Sequence, residues 1–200
     1  MHLIHEAGTA IYVPDIEQVR SAHVTGSDAF PFWAKIWESS TAMALLLQER
    51  PELITGKTVL ELAGGLGLPS IIAAQHAVKV VCSDVFAEPL EFVTATAIHH
   101  HLNNLECRVI DFRDIPTELQ TDIVLLSDVN YDGSLLAELQ RTVHSLLRKG
   151  AVVILATPQR IVARDFISSL LPYCSEQLEK RVNDTAIHLY ILRNIDQEKS

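Results

Sequence analysis

A glycine-rich run is the first segment of this chain whose residue types point to ligand binding. It reads Glu61-Leu62-Ala63-Gly64-Gly65-Leu66-Gly67-Leu68-Pro69 and continues the apolar segment of residues 57–62. Such a turn between a strand and a helix lets backbone N–H groups approach a ligand closely. The run lacks the Gly-Lys-Ser/Thr ending of a phosphate-binding loop, and Ser70 stands where a dinucleotide fingerprint needs its third glycine.

Glu61 discriminates between the ligands that such a turn could hold. A carboxylate at the end of an apolar strand is costly unless a cation or several hydrogen-bond donors meet it. Pyrophosphate would be repelled by it, whereas a ligand with an ammonium group, such as the amino-acid part of S-adenosylmethionine, would suit it. The alternative is that Glu61 pairs with a nearby Lys or Arg and the glycines form only a turn.

Acidic residues also follow two other apolar segments. Asp84 comes 17 residues after Gly67, close to the spacing at which a carboxylate meets ribose hydroxyls. A helix-capping or turn aspartate is a competing interpretation, and one side chain could serve both roles. Asp128 and Tyr131 follow the segment of residues 122–128, and ligands of open α/β sheets bind outside the carboxyl ends of the strands. These side chains are therefore expected to face a ligand.

The histidine run His99-His100-His101 is not expected to bind a metal ion. Consecutive helical residues diverge by about 100° each, so their rings cannot converge on one ion. No metal site is predicted.

Alternating strand and helix patterns supply the scaffold for these residues. Short Val/Ile/Leu-rich runs separated by helices indicate a parallel sheet that is covered on both faces. The last two runs are joined at Asn183-Asp184 by a link of three residues, which requires a hairpin and hence an antiparallel final strand. We expect one doubly wound α/β sheet of seven strands, predicted at residues 57–62, 78–84, 107–110, 122–128, 151–157, 176–182 and 186–193. Helices are predicted at residues 39–50, from Pro69 to about Gln75, and at 88–101, 134–147 and 162–171, and a hairpin-like segment within residues 1–30.

The amino-acid composition and net charge exclude several classes of protein and of partner. The 200 residues are 48% hydrophobic and 20% charged, which is typical of a folded domain and not of a disordered chain. The net charge of −9 argues against a nucleic-acid partner. Three separated cysteines indicate reduced thiols, and neither a transmembrane segment nor a signal peptide is expected. We expect a cytoplasmic protein without a membrane partner.

The segment Val59-Leu60-Glu61-Leu62-Ala63-Gly64-Gly65-Leu66-Gly67 resembles the first motif of the class I, seven-strand S-adenosylmethionine-dependent methyltransferases. Ala63 departs from it by replacing the first glycine, from which we expect a slightly shifted methionine pocket. Asp128-x-x-Tyr131 is similar to the signature of the family 16 methyltransferases, which include many protein-lysine methyltransferases. The segment from Pro31 to Trp37 resembles the Pro-Tyr-Trp…Trp-Pro segment of that family, with Glu38 in place of the last proline.

The resemblance implies a Rossmann-like methyltransferase fold over residues 39–200, with residues 1–38 as an extension packed on the core. It also implies S-adenosylmethionine as the cofactor. In this family the residues after the third strand, here Asp111 and Phe112, meet the adenine, although Phe112 alone would be interpreted as core. The tryptophans could equally fasten the extension to the domain. The expected cofactor-binding residues are Trp37, Glu61, Ala63, Gly64, Gly65, Gly67, Asp84, Asp111, Phe112 and Ser127, and the expected catalytic residues are Asp128 and Tyr131.

The function that the resemblance implies is methyl transfer to a protein lysine amine. A small-molecule amine with the same donor is the first alternative. A dinucleotide-dependent oxidoreductase is disfavoured by Glu61 and by Ser70, and a non-catalytic binding module by the retained acidic and glycine positions.

Overall fold

The computed structural model describes residues 1–23 and 31–194. Nine strands are found in the described ranges: β1 (His2–Glu6), β2 (Thr9–Val13), β3 (Thr58–Leu62), β4 (Lys79–Asp84), β5 (Leu105–Val109), β6 (Ile123–Ser127), β7 (Val152–Pro158), β8 (Cys174–Val182) and β9 (Thr185–Leu192). The α-helices there are α1 (Ile16–His23), α2 (Glu38–Glu49), α3 (Leu68–Ala73), α4 (Glu88–His99), α5 (Leu136–Arg148) and α6 (Arg164–Leu170).

Seven of the strands form one sheet in the order β5-β4-β3-β6-β7-β9-β8. Strands β3 to β7 pair in parallel, whereas β9 runs antiparallel to β7 and to β8. The predicted seven-stranded sheet, with its antiparallel last strand beside the fifth, is confirmed. The central strands read as continuous apolar runs because helices cover both of their faces.

The hairpin between β8 and β9 is tighter than the sequence predicts. Val182 is paired with Thr185, so the link is the two residues Asn183 and Asp184 rather than three. Asn183 has φ +52°, a left-handed conformation that asparagine tolerates and that two-residue hairpins require. The three-residue prediction was wrong because β9 begins one residue earlier, at Thr185.

Three hydrophobic clusters form the core of the described chain. The main core cluster contains most of the buried residues of α2 and α3, a second contains those of α5 and α6, and a smaller third lies beneath α4. The predicted helices are present, but several are shorter: α4 ends at His99 because His101 adopts a left-handed φ of +57°. Single-turn 3-10 helices precede α5 and α6.

Strands β1 and β2 form a separate antiparallel hairpin that packs against α4 and is hydrogen-bonded to α2. The hydroxyl of Thr41 donates to Glu6 Oε1 at 2.9 Å, and the ring of His100 lies 2.6 Å from the carbonyl oxygen of Ala10. The predicted hairpin-like segment is therefore present in residues 1–13, whereas residues 24–30 lie outside the described chain. The division into an extension of residues 1–38 and a domain of residues 39–200 stays a prediction.

No helix within residues 1–23 and 31–194 is both long enough and apolar enough to span a membrane.

Candidate functional site

The predicted site residues gather at the carboxyl edge of the parallel strands. β3 ends at Leu62 and β4 at Asp84, and β6 ends at Ser127 beside the end of β7. Because neighbouring parallel strands end on the same side of a sheet, the loops that follow them lie together.

The glycine turn after β3 is held against the end of β4. The backbone N–H of Gly64 donates to the carbonyl oxygen of Ser83 at 2.8 Å, and that of Gly65 donates to Asp84 Oδ2 at 3.0 Å. Ala63, Gly65 and Gly67 all have positive φ angles, of +51°, +54° and +67°. Ala63 thus occupies a conformation that favours glycine, which explains why glycine is usual at this position.

The three glycines of the turn have no room for a Cβ atom unless their neighbours move. A Cβ atom at Gly64 would lie 2.9 Å from Cys82 Sγ, and one at Gly67 would lie 2.8 Å from Val93 Cγ2. A Cβ atom at Gly65 would lie 3.3 Å from the carbonyl oxygen of Trp33. The segment before α2 therefore passes directly over the turn.

Glu61 lies beneath the turn and is 1% exposed. Its Oε2 accepts hydrogen bonds from the backbone N–H of Ser70 at 3.0 Å and from the Ser70 hydroxyl at 2.5 Å. Its Oε1 is buried without a hydrogen-bond partner. Burial raises the pKa of this carboxyl group to about 7. No Lys or Arg of the described chain pairs with Glu61, so several donors meet one oxygen while the other stays available.

Asp84 shapes the loop after β4. Its Oδ2 accepts from Gly65 and its Oδ1 accepts from the backbone N–H of Phe86 at 3.1 Å. Burial raises the pKa of this carboxyl group. The turn role that the sequence left open is thus present, and each carboxylate oxygen keeps a lone pair for a ribose hydroxyl.

Asp111 and Phe112 follow β5 and make local contacts. The Asp111 carboxylate accepts from the Arg113 guanidinium, with Nε at 2.9 Å from both oxygens, and this cation lowers the pKa of Asp111. Phe112 packs against the cluster on the α5 side, and its carbonyl oxygen accepts from the hydroxyl of Thr142 at 3.0 Å. No hydrogen bond or ring contact within the described chain joins either residue to the glycine turn. Their contact with adenine stays a prediction.

Asp128 is clamped by an arginine from the neighbouring strand end. Arg160 donates from Nε and Nη2 to Oδ1 at 3.1 and 2.9 Å, and from Nη2 to Oδ2 at 2.8 Å. Asp128 is 8% exposed, and its burial raises the pKa of the carboxyl group although Arg160 opposes that rise. Its backbone is left-handed, with φ +55°.

Polar atoms without partners line the loop after β6. Ser127 Oγ and Asn130 Nδ2 are buried and have no hydrogen-bond partner, while Asn130 Oδ1 accepts from the Thr157 hydroxyl at 2.7 Å. Buried polar groups are normally satisfied, so such atoms indicate a surface that a ligand or water completes. The location of Ser127 fits its predicted contact with the cofactor.

Aromatic rings line the outer side of the site. Tyr131 is 46% exposed, and its ring centre lies 5.1 Å from that of Phe32, whose ring centre in turn lies 6.1 Å from that of Trp37. Trp37 donates its Nε1–H to the carbonyl oxygen of Phe32 at 2.8 Å, and Lys35 Nζ lies 4.4 Å from the Trp37 ring centre. The segment of residues 31–37 thus connects the glycine turn with Tyr131.

Trp33 performs the fastening role that the sequence left open for the tryptophans. Its ring lies 6.1 Å from the ring of Phe92 on α4, and it packs against the main core cluster. Trp37 instead lies against the ring of Phe32, which in turn lies against Tyr131.

Sequence reasoning missed three residues of this edge: Ser70, which binds Glu61; Asn130; and Arg160, which binds Asp128. Arg160 follows β7, so the rule that ligands meet the carboxyl ends of strands was the available signal. The pairing of Asp128 with Arg160 could not be predicted, because it depends on the adjacency of β6 and β7.

The residues fit the amino-acid end of S-adenosylmethionine. Glu61 Oε1 is an unpaired buried acceptor beneath the glycine turn. A buried acceptor of this kind suits a ligand that carries an ammonium group, whereas the glycine positions face Cys82, Val93 and Trp33 and serve the close packing of the turn.

Comparison with known proteins agrees with this geometry. The electron transfer flavoprotein β-subunit lysine methyltransferase of Homo sapiens is 30% identical over 122 residues, which are 60% of this chain and 44% of that protein. The histone-arginine methyltransferase of Homo sapiens is 26% identical over 144 residues, or 69% of this chain and 76% of that protein. This chain spans about half the length of the flavoprotein-subunit methyltransferases that it matches.

The fold is that of a solved N-methyltransferase from Bradyrhizobium japonicum in complex with S-adenosyl-L-homocysteine. The TM-score is 0.65 at 13% identity, over 91% of this chain and 100% of that chain. Residues 31–171 match the family described as lysine methyltransferase. Since this match covers more than half of the sequence, the chain belongs to the lysine methyltransferase family.

Proposed function

We propose that this chain is an S-adenosylmethionine-dependent methyltransferase that methylates a protein lysine amine. The observation that carries the proposal is the family match over residues 31–171, which includes both the glycine turn and the Asp128–Tyr131 segment. The named relatives act on lysine or arginine in proteins, and that class of acceptor is proposed here for this chain.

The glycine turn and Asp84 are proposed to hold the donor. Gly64 and Gly65 present backbone to its amino-acid end, and Asp84 accepts from the ribose hydroxyls. Bound S-adenosylmethionine supplies a methyl group on a positively charged sulfur, which an amine displaces in line. Such a displacement needs little acid–base catalysis, so positioning is the main contribution of the protein.

The acceptor amine is proposed to meet Asp128 and Tyr131. A lysine amine must be neutral to react, although its ordinary pKa is about 10.4. Arg160 balances the charge of Asp128, so the pair attracts an ammonium less than a lone carboxylate would. The aromatic rings of Phe32, Trp37 and Tyr131 further favour the neutral amine by excluding water. Asp128 Oδ2 accepts one bond from Arg160 and keeps a lone pair that can orient the amine N–H.

A reducing, cytoplasmic location is part of the proposal. All three cysteines, Cys82, Cys107 and Cys174, are free thiols, although Cys82 and Cys107 lie opposite each other in paired strands. The net charge of −9 supports a protein or small amine as acceptor rather than a nucleic acid.

Labelled methyl transfer tests the function. The purified protein is incubated with S-adenosylmethionine carrying a radioactive methyl group and with a cell lysate. The labelled products are separated into proteins and small molecules, and the proteins are hydrolysed to amino acids. We expect label in methylated lysine, at a level that the Asp128→Asn variant lowers strongly.

Label in methylarginine would mean that this chain methylates arginine, as the name of the histone-arginine relative indicates for that protein. Label confined to small molecules would favour the small-amine alternative. Absence of both label transfer and donor binding would contradict methyltransferase activity.

A further inference from the structure

Glu61 is a buried carboxyl group without a cationic partner. Its Oε2 is held by Ser70, and the thiol of Cys82 lies 3.9 Å from the same oxygen. The titratable groups that face it are both on β4: Cys82, and Asp84, whose negative charge disfavours ionisation of Glu61. The described neighbours on β4 and α3 therefore supply hydrogen-bond donors and a like charge, but no positive charge.

This environment favours the protonated form of Glu61. Removing a carboxylate from water is costly unless a cation compensates, so such groups bind a proton instead. The pKa of about 7 is consistent with that, because desolvation is the largest of its causes. The hydrogen bonds from Ser70 lower the pKa of Glu61, but they do not return it to the ordinary value of 4.5.

The glycine turn places a ligand ammonium close to this carboxyl group. A Cβ atom at Gly64 would lie only 3.1 Å from Glu61 Cδ, so the backbone of Gly64 rests directly on the carboxyl. A positive charge bound at Gly64 and Gly65 would thus lie near Glu61 in a region that excludes water. An opposite charge within about 4–6 Å lowers the pKa of a carboxyl group by about 1–3 pH units.

We propose that binding of the methyl donor at the glycine turn expels a proton from Glu61, so that donor affinity increases with pH. The inference rests on the proposed function. The proton leaves the Glu61 carboxyl for the solvent, and the resulting carboxylate pairs electrostatically with the donor's ammonium group. Glu61 is thereby neutral in the empty site and charged in the occupied one.

The sign and size of the effect follow from this equilibrium. Below neutral pH the free protein holds the proton that binding must remove, so affinity is weakened there. Between pH 5.5 and pH 7 we expect affinity to rise about tenfold. An α-ammonium group keeps its proton below about pH 7.7, so the ligand itself contributes little in this range.

Calorimetry with S-adenosylhomocysteine tests the proposal without an acceptor. Titrations at several pH values, each in two buffers with different ionisation enthalpies, give both the affinity and the number of protons released. Across pH 5.5 to pH 7 we expect a release approaching one proton per ligand near pH 6 and about half a proton near pH 7. The Glu61→Gln variant, whose melting temperature shows that it is folded, should bind with an affinity that is flat across this range.

Two controls isolate Glu61. Glu106→Gln changes a carboxylate on the edge strand β5 that pairs with Lys79 and Arg108, and it should keep the full pH dependence. Methylthioadenosine lacks the amino-acid end, so its affinity for the unaltered protein should not vary with pH. This second control does not depend on whether any variant folds.

The outcomes separate the two proposals. Binding of S-adenosylhomocysteine without proton release, or with a pH dependence that Glu61→Gln retains or that methylthioadenosine shares, would overturn the inference and leave the function standing. Failure of S-adenosylhomocysteine to bind at any pH would overturn the proposed function itself.

Discussion

Asp128 combines two costly features, a left-handed backbone and a buried carboxylate. The backbone conformation costs about 1 kcal/mol for a residue other than glycine, although aspartate and asparagine tolerate it best. The carboxylate is compensated by the three hydrogen bonds from Arg160. Strain of this kind concentrates at functional sites, which supports the role proposed for this residue.

Asp128→Asn is expected to lower methyl transfer while leaving donor binding intact. Asparagine keeps the backbone conformation and the shape, but loses the charge that Arg160 meets and the oxygen that would orient the amine. A charge-assisted contact is worth about 1.5–3 kcal/mol, so turnover should fall about ten- to a hundredfold. Affinity for S-adenosylhomocysteine, measured by calorimetry, should change by no more than about twofold.

The matched control is Asp122→Asn at the opposite end of β6. Asp122 Oδ2 accepts from the backbone N–H and the hydroxyl of Thr58, at 2.8 and 2.9 Å, far from the carboxyl edge. This variant should lose stability but keep its turnover per folded molecule. Full turnover in a folded Asp128→Asn protein would show that the chemistry lies elsewhere.

The stability of the ligand-free protein should fall as pH rises because of Glu61. In the folded chain its pKa is about 7, above the ordinary value of 4.5, so between these values the folded state holds a proton that the unfolded state has lost. Stability from this source is complete below about pH 4.5 and is lost as pH rises to about 7. At about 1.4 kcal/mol for each pH unit, the loss is roughly 3 kcal/mol at most.

Urea unfolding from pH 5 to pH 8, compared between the unaltered protein and Glu61→Gln, measures this loss. The free energy of unfolding should decline more steeply with pH in the unaltered protein. Parallel curves for the two proteins would mean that Glu61 does not titrate in the folded chain.

At the scale of elements, the glycine turn is the feature that side chains would disrupt most directly. Gly65→Ala should weaken S-adenosylhomocysteine binding at least about tenfold. The added Cβ atom would lie 3.3 Å from the Trp33 carbonyl oxygen, so either the turn or the segment above it must move. The left-handed backbone adds about 1–2 kcal/mol of strain.

Gly56→Ala separates strain from site geometry. Gly56 also has a left-handed φ, +73°, but nothing lies within 4 Å of its Cβ position. Both variants carry the strain of a left-handed backbone and should lose stability in urea, Gly65→Ala more because of its contact with Trp33, but only Gly65→Ala should lose affinity. Equal affinities in the two variants would contradict a donor site at the turn.

The elements were predictable because their signals are local. Each buried strand is a short apolar run, and each run ends in a residue that the parallel arrangement places at one edge, as with Glu61, Asp84 and Asp128. Side-chain partners were not predictable, since Arg160 meets Asp128 across 32 residues of sequence. The Asp111–Arg113 pair is local, but sequence spacing alone does not decide between this ion pair and a ligand contact.

At the scale of the whole molecule, the amino-terminal hairpin is part of the folded unit rather than an appendage. Ile11 on β2 is fully buried in the main core cluster. The backbone N–H of its neighbour Tyr12 donates to the hydroxyl of Thr96 on α4 at 3.0 Å. The hairpin also fixes the start of α2, through the bond between Thr41 and Glu6. Because α2 follows directly on the segment over the glycine turn, the hairpin helps to position the site.

Ile11→Ala should therefore destabilise the entire molecule. Truncation of a fully buried isoleucine removes apolar contacts and leaves a cavity, at a cost of about 2–5 kcal/mol. The control Ile4→Ala changes a residue of β1 that is 38% exposed, so it should cost well under half as much. Urea unfolding followed by far-ultraviolet circular dichroism measures both, and we expect one transition that moves to lower urea in Ile11→Ala. If the hairpin were only loosely attached, the two variants would unfold at the same urea concentration as the unaltered protein.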